Sequence, residues 1–172
     1  MILPLIYKIS LLFLPAAVSN GFAPILAKVF PTLDYPLDIY LKIQNIRLLG
    51  KHKTFRGLIG GILIGEIIFL IELLMFNNYF SSLPIFYGAI MGFAALFGDA
   101  AKSFFKRRLN IAPGKVWFPI DQVDWVICSL LFLNIWIKTD ITFIIVSLIL
   151  GLLASSLSKL IGWYLGINET FF

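Results

Sequence analysis

The chain has 172 residues, of which 60% are hydrophobic and only 13% are charged, and its mean hydropathy is +0.95. Because ordinary soluble domains carry about one-quarter charged residues, this composition excludes a soluble globular protein and predicts an integral membrane protein. The single cysteine, Cys128, excludes a disulfide framework and a cysteine metal site. The length allows one domain of ordinary size. We therefore expect one all-α membrane domain over residues 1–172.

Five segments have the apolar character of membrane-spanning helices, which need about 20 residues to cross the hydrocarbon core. They cover residues 1–20, 57–76, 83–100, 120–137 and 141–165. The sequence thus predicts a single bundle of five transmembrane helices with longer connections at 21–56 and 101–119. Three prolines in the first connection, Pro24, Pro31 and Pro36, predict that no long helix continues there.

The basic residues predict the orientation of the bundle. Residues 21–56 hold six and residues 101–119 hold five of the 14 Lys and Arg residues. Lys and Arg accumulate in cytoplasmic loops, so both connections are expected on the cytoplasmic side. Five crossings then place the N-terminus outside and the C-terminus in the cytoplasm.

Small residues recur at four-residue spacing in two of the predicted spans. Gly57, Gly61 and Gly65 open the second span, and Gly88 and Gly92 lie in the third. This spacing lets helix backbones approach closely and predicts packing between helices within the chain.

A stripe of polar side chains is predicted at the end of the third span. If its helix continues, Asp99, Ser103 and Lys106 fall at i, i+4 and i+7 on one face, with Lys102 beside them. Ionisable residues at membrane depth are costly and are therefore functional candidates. The stripe offers a carboxylate, a hydroxyl and two ammonium groups.

Two further acids, Asp121 and Asp124, lie at i and i+3 at the start of the fourth span. Together with Asp99 they offer three oxygen ligands without His or Cys partners, which suit a hard cation such as Mg²⁺ held together with substrate phosphates. The structural alternative is that Asp121 caps the helix, that Asp124 favours its positive end, and that the basic residues are an ordinary cytoplasmic flank. That alternative does not explain why Asp99 faces the same basic cluster.

The first connection contains the basic sequence GKHKTFRG, in which Lys53 and Arg56 are suited to binding phosphate. Its spacing is not that of a Walker loop, and anionic lipid head groups are an equally open ligand for a basic segment beside a membrane. His52 has no second His or Cys to share a metal, so a solvated role is expected. Asn20, at the end of the first span, either caps a broken helix or touches a ligand.

In combination, these motifs resemble the CTP-dependent cytidylyltransferases of lipid phosphates, and most closely the short five-span CDP-archaeol synthase family. The matching segments are NGFAP at 20–24, PLD at 36–38, LGKHKTFRG at 49–57, GD-x-x-x-S-x-x-KRR at 98–108 and P-x-D-Q-x-D at 119–124. Gln122 replaces the Arg found in the D-R-x-D motif of the larger phosphatidate cytidylyltransferases. Phe55 replaces a usual Trp, and Gln44 replaces an acid of the archaeal form. Gln122 fits the short branch and counts against diacyl phosphatidic acid as the substrate, whereas the family resemblance itself favours an isoprenoid ether lipid.

The resemblance implies transfer of CMP from CTP to a membrane lipid phosphate, giving a CDP-lipid and pyrophosphate for phospholipid synthesis with Mg²⁺ as cofactor. It implies that Asp99, Asp121 and Asp124 hold the metal and, with Lys106, form the catalytic group. The implied ligands of CTP and lipid phosphate are Asn20, Asp38, Lys53, Arg56, Ser103 and Arg107. Expected partners are CTP, the lipid phosphate and the bilayer, without nucleic acid, and the oligomeric state is open.

Three alternatives to this function follow from the sequence. A cytidylyltransferase of diacyl phosphatidic acid differs only in the lipid. A small transporter or channel is motivated by the glycine-rich spans and by Glu66 and Glu72 inside the second predicted span, where these acids would serve as a proton relay. A non-catalytic scaffold would bind anionic lipid through its basic loops, but it gives the three aspartates no role.

Overall fold

The computed structural model describes residues 2–50, 52–80, 82–112, 115–164 and 166, apart from the side chains of residues 77–79. In this part of the chain five α-helices follow one another. They are α1 (Ile2–Val29), α2 (Phe55–Phe80), α3 (Tyr87–Arg108), α4 (Ile120–Leu133) and α5 (Ile141–Tyr164). The prediction of an all-α membrane protein with a bundle of about five helices is confirmed.

Three of the helices are long and apolar enough to cross a bilayer by themselves. They are α1, α2 over Phe55–Phe76, and α5. The helix α3 has 22 residues but ends in two charged turns, and α4 has only 14 residues. Large apolar side chains stay exposed at four-residue intervals along α5, at Ile145, Ile149, Leu153 and Leu157. In a membrane protein such a face contacts lipid.

The helix boundaries differ from the predicted spans in two informative places. The helix α1 continues to Val29 with Pro15 and Pro24 inside it, so the prediction that Pro24 ends the helix is wrong. A proline removes one backbone hydrogen bond, and a long apolar helix packed along its neighbours tolerates this loss. The helix α3 extends beyond the predicted span and ends at Arg108, inside the predicted connection 101–119. The charged residues at the start of that connection therefore lie on a regular helix.

The helices α1, α2 and α3 pack closely through small residues. A β-carbon added to Gly65 would lie 2.7 Å from the carbonyl oxygen of Gly88 and 2.6 Å from the hydroxyl of Ser19. Gly92 has the same relation to Ser19, at 2.7 Å, and to the carbonyl of Gly61, at 2.9 Å. The predicted role of these glycines in helix packing is confirmed.

The helix α4 packs between α3 and α5. A β-carbon on Gly98 would lie 2.6 Å from the carbonyl oxygen of Asp124, so α3 approaches the start of α4 closely. On the other side, the indole nitrogen of Trp125 donates to Ser155 at 2.8 Å, and the Ser155 hydroxyl donates to the carbonyl of Gln122 at 2.8 Å. These contacts fix the first turns of α4 against both neighbours.

The connection between α1 and α2 contains a small antiparallel hairpin that the sequence analysis did not predict. Its strands are β1 (Lys42–Ile43) and β2 (Ile46–Arg47), and Ile43 pairs with Ile46. The two turn residues, Gln44 and Asn45, have φ of 52° and 62°. Two consecutive residues with positive φ are typical of a tight two-residue hairpin turn, in which Asn is favoured.

Candidate active site

The three predicted metal-binding aspartates converge at one end of the bundle around the ammonium group of Lys102. Its Nζ lies 3.0 Å from Asp99 Oδ1, 2.9 Å from Asp124 Oδ2 and 3.5 Å from Asp121 Oδ1. The Lys102 side chain is only 13% exposed. We refer to Asp99, Asp121, Asp124 and Lys102 as the carboxylate cluster.

Two more lysines contact the carboxylate cluster from its edge. Lys53, from the connection before α2, forms an ion pair with Asp99. Lys106 lies 3.0 Å from Asp121 Oδ2 and donates to the carbonyl of Lys115 at 2.5 Å. Three ammonium groups therefore balance three carboxylates, and both charges are concentrated in one partly buried site.

The local sequence explains why these groups meet. Because α3 is continuous, Asp99, Lys102 and Lys106 occupy one face of its last three turns. The helix α4 begins at Ile120, and Asp121 in its first turn accepts a hydrogen bond at 2.6 Å from the backbone N–H of Trp117. The residue at the N-cap position is Pro119, so Asp121 does not act as the cap proposed in the structural alternative.

Asp38 is the centre of a second network, in the connection between α1 and α2. Its carboxylate accepts two hydrogen bonds from Arg47, at 2.5 and 3.1 Å. It also accepts bonds from the backbone N–H groups of Tyr40, Leu49 and Gly50, at 3.2, 3.2 and 3.4 Å. Burial by itself raises the pKa of Asp38, but these bonds outweigh it and hold the pKa below its ordinary value. We refer to residues 30–54, which Asp38 organises, as the Asp38 loop.

The Asp38 loop is attached to the charged end of α3. Arg108 donates to the carbonyls of Ile43, Ile46 and Arg47, at 3.3, 3.2 and 3.2 Å. With the ion pair between Lys53 and Asp99, these bonds bring the two basic connections to the same end of the bundle. The membrane side that this end faces stays a prediction.

The other predicted site residues lie around these two networks. Ser103 is buried on α3, next to Lys102 in sequence. Arg107 donates to the carbonyl of Ile111 at 2.8 Å, and its Nε is buried without a hydrogen bond. Arg56 donates to the carbonyl of Phe30, and Asn20 is half-buried on α1. None of these four residues takes part in the ion pairs described for the cluster.

Two lysines of this site were not predicted from the sequence. Lys102 appeared only as a neighbour of the predicted stripe, yet it contacts all three acids. Lys159 lies on α5 near the start of α4. When the Gln122 amide is oriented so that its nitrogen donates to the carbonyl of Pro119, its oxygen lies 3.3 Å from the Nζ of Lys159 and accepts a hydrogen bond from it. The available signal was that Lys159 is the one charged residue in the sequence of α5.

No group of three or more His, Cys, Asp and Glu side chains in the described part of the chain is arranged as a ready metal site. Lys102 lies between the three acids instead. The metal assignment of Asp99, Asp121 and Asp124 therefore stays a prediction.

The acids that motivated a transporter lie elsewhere. Glu66 accepts a hydrogen bond at 2.8 Å from the backbone N–H of Ala89, in the first turn of α3. Glu72 is 4% exposed, and its carboxyl oxygens have no hydrogen-bond partner among the described residues. Glu66 thus has a structural role as a helix-terminal acceptor.

Comparisons with known proteins identify the family. A protein-family model described as CarS-like, CDP-archaeol synthase, matches residues 2–172. The chain belongs to the CDP-archaeol synthase family. It is 34% identical to the CDP-archaeol synthase of Methanospirillum hungatei over 91% of this chain and 98% of that relative. It is 36% identical to that of Methanocaldococcus jannaschii over 91% of each chain.

The fold has a solved counterpart as well. A structure of an intramembrane enzyme for archaeal membrane lipids biosynthesis matches with a TM-score of 0.68 and 25% identity, over 92% of each chain. The resemblance to the CDP-archaeol synthase family is thus confirmed. The predicted protein class, a membrane-embedded cytidylyltransferase of lipid synthesis, is confirmed with it.

Proposed function

We propose that this CDP-archaeol synthase family member transfers CMP from CTP to the phosphate of an isoprenoid ether glycerolipid at the carboxylate cluster. The observation that carries the proposal is the convergence of Asp99, Asp121 and Asp124 from two adjacent helices. They meet beside the basic side chains Lys53 and Lys106 at the end of a membrane bundle. The relatives named CDP-archaeol synthase supply the identity of the lipid.

The transfer proceeds in one step, without a covalent intermediate on the enzyme. A non-bridging oxygen of the lipid phosphate attacks the α-phosphorus of CTP and forms the new P–O bond. The bond from the α-phosphorus to the bridging oxygen breaks, and the electron pair leaves with pyrophosphate. Such chemistry requires mainly positioning of the two phosphates and stabilisation of negative charge.

The basic residues at the cluster supply that stabilisation. Lys53 and Lys106 are flexible ammonium groups that can exchange a carboxylate for a phosphate oxygen. Arg107 is one turn from Ser103, and its buried Nε has no hydrogen-bond partner in the described structure, which leaves a donor for a phosphate. The Ser103 hydroxyl is a further donor. Arg56 on α2 and Asn20 on α1 are assigned as further ligands of the phosphates.

The three acids of the cluster fit a hard divalent cation, because the ligands that they offer are all carboxylate oxygens. Asp99, Asp121 and Asp124 are the residues that would hold Mg²⁺, which when bound neutralises charge on the triphosphate and the leaving pyrophosphate. The lysines that now contact these acids are then available to the phosphates.

Asp38 serves the reaction indirectly. Its carboxylate is fully engaged inside the Asp38 loop, so we assign it to positioning rather than to substrate contact. By ordering the loop it presents Lys53 to Asp99.

The site lies at one end of the helix bundle, a position that suits one substrate from water and one from the bilayer. The cluster lies at the ends of α3 and α4, and apolar side chains stay exposed along α5. With this end on the cytoplasmic side, as the basic connections favour, CTP arrives from water and the lipid tails stay in the bilayer.

The test is mass spectrometry of the products that the purified protein forms from CTP, Mg²⁺ and defined lipid phosphates. We expect CDP-lipid and an equal amount of pyrophosphate with the isoprenoid ether phosphate, and chelation of divalent cations abolishes both. Product from diacyl phosphatidic acid alone would assign the other lipid class. No product from either lipid would overturn the proposal and favour the scaffold or transporter alternative.

A further inference from the structure

The position of Lys102 is unusual among the basic residues of the site. Lys53 and Lys106 each pair with a single acid of the carboxylate cluster, whereas Lys102 contacts all three. Lys106 is also anchored on a backbone carbonyl, that of Lys115. One ammonium group therefore occupies the space that the three carboxylates share.

We infer that Lys102 is an internal counter-cation, which holds the three acids together before substrate binds and which a divalent cation must displace. The inference rests on the proposed function, since it assigns the same three acids to the cation. It gives this chain a residue that sets the affinity of the site for the metal.

The three acids of the carboxylate cluster repel one another. Their contacting oxygens all lie within 3.5 Å of one nitrogen, so any two of them are within about 6.5 Å, the sum of the two longest distances. The side chains of Asp99, Asp121 and Asp124 are only 20%, 9% and 5% exposed. Like charges this close and this poorly solvated repel strongly, and a buried charge without a partner is costly. An ammonium group between them removes this repulsion in the protein without metal.

The same arrangement makes the ammonium group displaceable. Lysine carries its charge on a flexible four-carbon stem, which swings without a change in the backbone. Lys102 lies on α3 one turn after Asp99, and this stem carries its ammonium group to the three acids. When a divalent cation takes the oxygens, the freed ammonium group is placed to contact the bound triphosphate.

This role predicts opposite effects of Lys102→Met on stability and on metal binding. Without metal, the variant leaves three acids without their shared ammonium group, so its melting temperature falls below that of the wild type. Because no ammonium group competes for the oxygens, the divalent cation binds more tightly. The half-saturating Mg²⁺ concentration is expected to fall at least about tenfold, the effect of roughly 1.4 kcal/mol.

The experiment is thermal unfolding of the full chain in detergent, first with a chelator and then across a Mg²⁺ titration, without CTP or lipid. Mn²⁺ binding, followed by electron paramagnetic resonance, gives the affinity directly. The matched control is Lys115→Met, which removes an exposed lysine from the connection between α3 and α4. The control is expected to titrate like the wild type. A Lys102→Met protein with the wild-type Mg²⁺ midpoint would overturn the inference.

Lys102→Arg keeps the test decisive if Lys102→Met does not fold. The guanidinium group retains the charge but forms forked bonds to carboxylates, so it is harder to displace. We expect wild-type stability in chelator and a several-fold higher Mg²⁺ midpoint. A midpoint equal to or below that of the wild type would contradict the role of Lys102.

A parallel assay of CDP-lipid formation by the wild type separates this inference from the proposed function. If the wild type forms product but the Lys102 variants titrate like it, only the counter-cation role fails. If the wild type forms no product but the midpoints shift as expected, the cation site stands and the proposed reaction fails.

Discussion

The two aspartate networks at the charged end of the bundle differ in how their carboxylates are satisfied. Asp38 accepts five hydrogen bonds from its own loop, two of them from Arg47. The three acids of the carboxylate cluster come from two helices and share Lys102. A carboxylate saturated by neighbours in the same loop stabilises local structure, whereas carboxylates gathered around one movable cation can exchange that cation for a ligand. The difference supports the proposal that the first network has a structural role and the second a chemical one.

The largest loss of activity is expected from substitution of an acid in the carboxylate cluster. Asp124→Asn removes one of three negative charges from the site, and loss of a group that acts on the transition state typically costs about 100-fold or more in rate. CDP-lipid formation, measured by mass spectrometry at saturating CTP and Mg²⁺, should fall by at least this factor. The matched control is Asp140→Asn at the opposite end of the bundle, where Asp140 caps α5 through the N–H of Phe143 at 2.7 Å. Asparagine caps equally well, so the control should retain activity.

A smaller loss of activity is expected from a substitution that weakens the Asp38 loop. Asp38→Asn removes the charge that pairs with Arg47, and bonds to charged groups contribute about 1.5–3 kcal/mol. The loop loosens, so Lys53 is presented to Asp99 for less of the time and activity falls roughly tenfold. Limited proteolysis within residues 30–54 measures the loosening. Asp34→Asn, an exposed acid in the same loop, should leave both proteolysis and activity unchanged. Loss of activity without faster cleavage would contradict a role through the loop.

The same network should respond to acid in a defined direction. The folded pKa of Asp38 lies below its ordinary value of 3.8, so its ionised form stabilises the loop. That contribution is present above pH 3.8 and is lost as the pH falls through the folded pKa. The protection factors against hydrogen exchange of Leu49 and Gly50, whose N–H groups bond Asp38, should therefore decrease in the wild type as the pH falls below 3.8. In Asp38→Asn this acid-dependent step should be absent, and its persistence would assign it to another group.

The smallest effect is expected on thermal stability, from a change at the contact between α4 and α5. Ser155→Ala leaves the indole N–H of Trp125, a residue that is 3% exposed, without its acceptor. An unsatisfied buried donor costs about 1–3 kcal/mol, so the melting temperature in detergent should fall by a few degrees. Ser156→Ala removes a hydroxyl that bonds only within its own helix, to Leu152, and should change the melting temperature less. Equal shifts in the two variants would show that the Trp125 contact adds nothing.

The cluster was largely predictable from sequence because its geometry is local. Helical periodicity places Asp99 and Lys106 on one face of α3, and Asp121 and Asp124 on one face of α4. Helical periodicity does not predict how α3 and α4 are placed relative to each other, which depends on their close approach at Gly98. The central position of Lys102 follows from that approach and was therefore missed.

The Asp38 loop was not predictable in the same way. The contact of Asp38 with Arg47 spans nine residues, and it depends on a hairpin whose strands have two residues each. Such short strands carry no periodic signal, and the backbone also takes positive φ at Ile39 and Tyr40, where neither residue type predicts it. In α1 the prediction failed for a different reason, because the rule that proline ends a helix was outweighed by the packing of α1 along its neighbouring helices.

We propose that acids from α3 and α4 form the site of CMP transfer. Asp99 tests it most directly, because it contacts both Lys102 of the cluster and Lys53 of the Asp38 loop. The measurement is CDP-lipid formed from CTP and the isoprenoid ether phosphate by purified wild type, Asp99→Asn and Asp140→Asn, across a Mg²⁺ titration. We predict product from the wild type and Asp140→Asn, and none from Asp99→Asn at any Mg²⁺ concentration while the variant stays folded. Wild-type turnover by Asp99→Asn would contradict the claim.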